Sequence, residues 1–79
     1  MITKIAKIIS EEEDISKKQV KATIELLDSG NTIPFIARYR KEMTGGLDEK
    51  EIRTINKRTE YLRNLQERKE EVIRLIEEQ

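Results

Sequence analysis

The sequence predicts an all-α fold: three short helices in a helix-turn-helix-like arrangement, packed on the start of one long C-terminal helix. Three observations lead there. Apolar residues recur at three- and four-residue intervals from Ile2 onward. The residues that punctuate helices are confined to Gly30, Pro34, Gly45 and Gly46, so the last stretch, 48–79, runs without glycine or proline. No segment alternates apolar and polar residues long enough for a strand, and Thr32-Ile33 is too brief to count.

The first helix follows from Ile2, Ile5, Ile8 and Ile9, with Lys4 and Lys7 off the stripe. A helix facing a core is the plain reading of this segment, and a membrane-surface anchor the alternative. It is too short and too charged for a signal peptide or a membrane span. The acidic run Glu11 to Asp14 is expected to be a solvated connector, because it lacks the alternating ligand spacing of a calcium loop.

Ser16 and Gln19 have capping-box spacing at the start of the second helix, and Ile15 and Val20 that of a hydrophobic staple. Val20, Thr23, Ile24 and Leu27 form the predicted buried stripe, with Leu26 at its margin and Gly30 as a left-handed stop. Pro34 opens the third helix, since the first turn needs no N–H donor. Phe35, Ile36, Tyr39 and Met43 share one face of it, Arg38 and Lys41 point elsewhere, and Gly45-Gly46 ends it. The fourth helix starts at a capping box, Asp48 with Glu51, and a staple, Leu47 with Ile52.

That last helix would span roughly 48 Å at 1.5 Å per residue, longer than a domain of this mass is wide. Its apolar positions are Ile52, Ile55, Leu62, Leu65, Val72, Ile73 and Ile76; Thr59, Gln66 and Lys69 interrupt the stripe and argue against a strict coiled coil. The short helices can cover only its beginning. One domain is therefore expected over 1–79, with a helix-turn-helix-like part at about 1–47 and the long helix at about 48–79. The uncovered end implies truncation from a larger protein, or self-association through that end.

Composition removes most chemistry. The 79 residues hold no histidine and no cysteine, hence no imidazole base, thiolate or disulfide. Only 35% are hydrophobic and 41% charged, a low apolar share for an isolated globule. Neither a phosphate-binding loop, a nucleophile–base pair nor a metal-ligand cluster is present. No catalytic residue, metal or cofactor is expected, and the chain reads as non-enzymatic.

Sixteen basic and sixteen acidic residues cancel, whereas dedicated nucleic-acid binders usually carry a basic excess. The middle third is the exception: residues 31–63 hold eight basic and five acidic side chains. Arg38, Arg40 and Lys41 lie close together, and Arg53, Lys57 and Arg58 follow on the next helix. Two readings stand. The six could face one polyanion with salt-dependent, sequence-independent affinity. Alternatively they serve internal pairs, such as Arg38 with Glu42 one turn on, or contacts within a larger assembly. A base-reading recognition helix is not expected, because the third helix begins with the apolar run Pro34-Phe35-Ile36-Ala37. Tyr39 and Tyr61 read as packing residues with a solvated hydroxyl.

One stretch, NTIPFIARYRKEMTGGL from Asn31 to Leu47, carries a resemblance. Thr32 to Glu42, then Thr44-Gly45 and Leu47-Asp48, resemble the signature of the Tex family of bacterial transcription accessory proteins. Tyr61-Leu62-Arg63 and the terminal Glu77-Glu78-Gln79 are similar as well, so the resemblance runs from the first helix to the last residue. It marks Pro34, Phe35, Ile36, Tyr39, Gly45 and Gly46 as signature and structural positions. It implies the N-terminal part of a longer cytoplasmic protein. Such proteins continue through more helices, a ribonuclease-H-like domain that generally lacks the residues for cleavage, helix–hairpin–helix elements and an OB-fold RNA-binding domain. The expected role is a non-enzymatic module in transcription, with RNA or DNA bound by the parent. The alternative is a scaffold that docks on the transcription machinery without touching nucleic acid. Partners implied are the remainder of the parent chain, nucleic acid and RNA polymerase, with no membrane.

Overall fold

The computed structural model describes residues 2–78, with side chains described for residues 2–65. Five helices follow one another: α1 (Ile2–Glu13), α2 (Lys17–Asp28), α3 (Ile33–Tyr39), α4 (Lys41–Thr44) and α5 (Glu49–Glu78). The fold is all-α, as the periodicity predicts. Its longest dimension is 51 Å against 24 and 16 Å, because α5 alone has 30 residues.

One apolar core joins α1, α2, α3 and the first turns of α5. Ile5, Ala6 and Ile9 enter from α1; Val20, Ile24 and Leu26 from α2; Ile36 from α3; Leu47, Ile52 and Ile55 from the α5 entry. Thr59, expected to break the stripe, is buried too. Its hydroxyl donates to the Ile55 carbonyl at 2.7 Å, which satisfies the one polar atom that burial would leave unpaired. Beyond it the cover thins: Leu62 is half-buried and Leu65 is 44% exposed. Gln66, Lys69, Val72, Ile73 and Ile76 lie outside the described side chains.

The helix ends follow local chemistry. The Ser16 hydroxyl accepts the Gln19 N–H at 3.2 Å. At the α5 start, Asp48 Oδ1 accepts the Glu51 N–H at 2.8 Å and Glu51 Oε1 accepts the Asp48 N–H at 3.2 Å, a reciprocal box. The stop of α2 is a Schellman motif: Gly30, at φ 94°, donates to Leu27, and Asn31 donates to Leu26.

Three expectations are corrected. The acidic run is solvated, as expected, but is helical rather than a connector: α1 continues to Glu13, and only Asp14 turns, at φ 56°. The reason lies far along the chain, where Arg58 on α5 holds Glu12 in a bidentate pair. The third helix is not continuous but breaks at Arg40 into α3 and α4, so four short helices precede the long one. Finally, Leu26 is buried and Leu27 only half-buried, the reverse of the predicted order. The Schellman turn draws the chain back across α2 at Leu26, whose carbonyl also accepts the Asn31 side-chain amide at 2.8 Å.

Candidate nucleic-acid interface

The signature stretch becomes a capped turn, α3, a one-residue break, α4 and a glycine turn. Thr32 is the cap: its hydroxyl accepts the Phe35 N–H at 3.3 Å, and Pro34 follows in the first turn. A threonine two residues ahead of the helix-opening proline is a legible cap signal in the sequence. Arg40 takes φ −125° and ψ 31°, leaving helical geometry while its N–H still donates to Ile36 at 3.0 Å. After α4, Gly45 and Gly46 both have positive φ, 73° and 89°.

Gln19 fixes this turn in space. Its side-chain amide donates to the Thr44 carbonyl at 2.9 Å and lies within 3.4 Å of the Gly45 carbonyl. Its Oε1 accepts the Ser16 hydroxyl at 3.0 Å, so the cap of α2 and the end of α4 share one short chain of hydrogen bonds. No local pattern announces this contact, since 25 residues separate the partners.

Burial divides the predicted aromatic face. Only Ile36 turns into the core; Phe35, Tyr39 and Met43 are exposed at 38%, 56% and 51%. The two rings lie 5.1 Å apart at 46°. The break at Arg40 explains the arrangement, because it frees the Arg40 guanidinium to lie 5.1 Å over the Phe35 ring. Tyr39 and Tyr61 are surface rings rather than packing residues, and Arg58 covers Tyr61 at 4.9 Å.

The six candidate cations do not form one cluster. Arg38 and Lys41 line an open groove with Pro34, Ala37 and Glu49, the first residue of α5. Arg53 lies 3.5 Å from the carboxylate of Glu49, which lines the groove. Lys57 is exposed one helical turn further on. Arg40 belongs to the Phe35 ring. Arg58 faces the other way, onto Glu12 at 2.7 and 2.8 Å; this pair raises its pKa, chiefly through the hydrogen bonds. It is an internal strap, as is Arg63, which grips Asp28 with two bonds of 2.9 Å. Those bonds hold the Asp28 carboxyl below its usual pKa and push Arg63 up. The expected Arg38–Glu42 pair is not formed among the described residues; the ion pairs there are Arg53–Glu49, Arg58–Glu12 and Arg63–Asp28.

Four cations remain: Arg38 and Lys41 on the groove, Arg53 paired with the groove carboxylate Glu49, and Lys57 exposed one turn beyond Arg53. The groove measures ≈ 360 Å³, near the lower end of small-molecule pockets at about 300–1,000 Å³. Its open form fits an extended polymer better than an enclosed ligand. Among the described residues, no group of three or more acidic side chains is placed to hold a metal ion, and no helix is long and apolar enough to cross a membrane.

Comparison with known proteins agrees with the signature. The family of the Tex-like protein N-terminal domain matches residues 3–77. The Bacillus subtilis protein YdcI is 59% identical over 71 residues, 90% of this chain and 10% of that protein. Transcriptional accessory protein Tex of Neisseria gonorrhoeae is 55% identical over 75 residues, 95% of this chain and 10% of that one. The human S1 RNA-binding domain-containing protein 1 is 32% identical over 75 residues, 95% and 8% of the two chains. The chain thus spans about a tenth of the length of the curated relatives it matches. With the PFIARYRKE stretch folded as α3 and α4 on a long α5, and the match running almost from end to end, the chain belongs to the Tex-like protein N-terminal domain family.

Proposed function

We propose that this chain is a non-enzymatic helical module of a longer cytoplasmic transcription accessory protein, and that its α3–α5 edge meets a polyanion during transcription. In this reading α5 is a beam on which further parts of the parent rest. The strip Arg38, Lys41, Arg53 and Lys57 adds nucleic-acid affinity to whatever the rest of the parent supplies. One observation carries the polyanion part: Arg58 and Arg63 are tied to acids on α1 and α2, whereas among the described residues Arg38, Lys41 and Lys57 form no ion pair and Arg53 pairs only with Glu49. A relative named for an S1 RNA-binding domain is consistent with a nucleic-acid setting for the parent.

The test is a salt titration of binding to single-stranded RNA and to duplex DNA. Arg38→Ala with Lys41→Ala removes two phosphate contacts and should lower the slope of log K against log salt by roughly 1.4–1.8. Absence of binding at low salt, or a slope unchanged by the double substitution, rejects the polyanion role. A second reading is favoured by the exposure of Leu65 and Tyr61 on α5: a module that docks on a protein of the transcription machinery. Retention of purified RNA polymerase by the 79-residue chain, lost in Leu65→Asp, supports that reading; no retention counts against it.

A further inference from the structure

We propose that the outer face of α3 is a stacking site for the bases of a single-stranded polynucleotide, with Tyr39 as the platform and the adjoining groove as the phosphate track. The inference rests on the polyanion reading above and adds strandedness to it.

Three features of the site carry it. First, the platform is exposed yet braced. Tyr39 is 56% exposed, its ring leans on Phe35 at 5.1 Å, and Phe35 is backed by the Arg40 guanidinium at 5.1 Å. Arg40 Nη1 also donates to the Tyr39 carbonyl at 3.3 Å, tying the same residue at its backbone. A ring held in place loses little freedom when a base settles on it, and every base offers a π-face.

Second, rings and cations occupy neighbouring flanks of the same two helical turns. Pro34, Ala37, Arg38 and Lys41 face the groove, and Phe35 and Tyr39 form the next row around α3. Each residue advances about 100° around a helix, which sets Arg38 between the groove and the rings. A strand with its phosphates at Arg38 and Lys41 has its bases directed across α3 toward Tyr39. A duplex cannot do this, since its base faces are stacked inside.

Third, the charge around the rings suits phosphate better than an apolar partner. From Ile33 to Thr44 there are three cations, Arg38, Arg40 and Lys41, and one acid, Glu42. An apolar protein surface closing over Phe35, Tyr39 and Met43 would strip water from those cations without compensation. A polynucleotide supplies an anion for each while covering the rings.

The experiment uses the 79-residue chain with matched-length oligouridylate, oligothymidylate and a duplex, read by anisotropy at low salt. Both single strands should bind more tightly than the duplex; a gap between them assigns RNA or DNA as the favoured ligand. Tyr39→Ala should weaken single-strand binding about 5- to 150-fold, the range for losing one base–aromatic stack. It should leave duplex binding unchanged, and Tyr39→Phe should restore the loss. The chain has no tryptophan and two tyrosines, so Tyr61→Phe leaves Tyr39 as the sole tyrosine reporter. Its emission should be quenched by oligouridylate and not by the duplex. Equal affinity for both forms with Tyr39→Ala silent overturns the stacking site and leaves the polyanion reading standing. No binding to any of the three overturns both and leaves the rings as a protein contact.

Discussion

Gly45→Ala tests how the signature turn is held, and its cost can be worked from two separate parts. Gly45 sits at φ 73°, where an L side chain is strained; that part costs roughly 1–2 kcal/mol. An added Cβ would also meet Gln19 Nε2 at 2.5 Å and Cδ at 3.0 Å. Gln19 is flexible and can withdraw, but only by giving up its 2.9 Å bond to the Thr44 carbonyl, a further ~0.5–1.5 kcal/mol. The expected total is about 1.5–3.5 kcal/mol. Gly46, at φ 89°, has nothing within 4 Å of a Cβ, so Gly46→Ala should show the backbone part alone, about 1–2 kcal/mol. Urea unfolding followed by helical circular dichroism measures both. The decisive arm is a double-mutant cycle. In a Gln19→Ala background the clash and the bond are already gone, so Gly45→Ala should cost about 1 kcal/mol less than in the parent. Equal costs for Gly45→Ala and Gly46→Ala, additive with Gln19→Ala, would refute the proposed contact.

Other outcomes follow from the same contacts. Asp28→Asn should cost up to about 1 kcal/mol at neutral pH, the pair with Arg63 being nearly half exposed. Because Arg63 lowers the folded-state pKa of Asp28, that stabilisation is complete above the ordinary carboxylate range, near pH 4. It fades as pH falls through the lowered value, so parent and variant should converge in acid; a gap that persists there contradicts the assignment. Thr44 is fully buried, and its hydroxyl has no protein partner. Thr44→Val should therefore stabilise by ~1 kcal/mol in thermal melts, and a loss of stability would show that the hydroxyl is bonded. Ile36 is the fully buried side chain that pins the seven-residue α3. Ile36→Ala should cost ~2–5 kcal/mol, with amide exchange rising in α3 and α4 before α5; uniform loosening would mean that α3 is held by other contacts.

The candidate site was only half legible beforehand. Its cations can be picked out of residues 31–63 by counting, but counting cannot sort them. Arg58 and Lys57 are neighbours in sequence, yet one reaches Glu12, 46 residues away, and the other faces solvent. The i, i+4 rule names Arg38–Glu42 and Arg53–Glu49 as equal prospects. Only the second forms, because the break at Arg40 separates Arg38 from Glu42 on different helices. Glu49 as the anionic member of the groove carries no sequence mark at all.

The sequence alone determined what depends on a few neighbouring residues. The capping boxes, the Gly30 stop, proline in the first turn of α3 and the unbroken run of α5 are all decided within four or five positions. Helix geometry then yields an elongated molecule without further information. Tertiary structure decided whatever needs two distant segments to meet: the extension of α1 through Glu12, the pinning of Gly45 by Gln19, the burial of Thr59 and the exposure of Tyr39. These depend on which face of one helix finds room against another, and periodicity names a helix face without naming its neighbour.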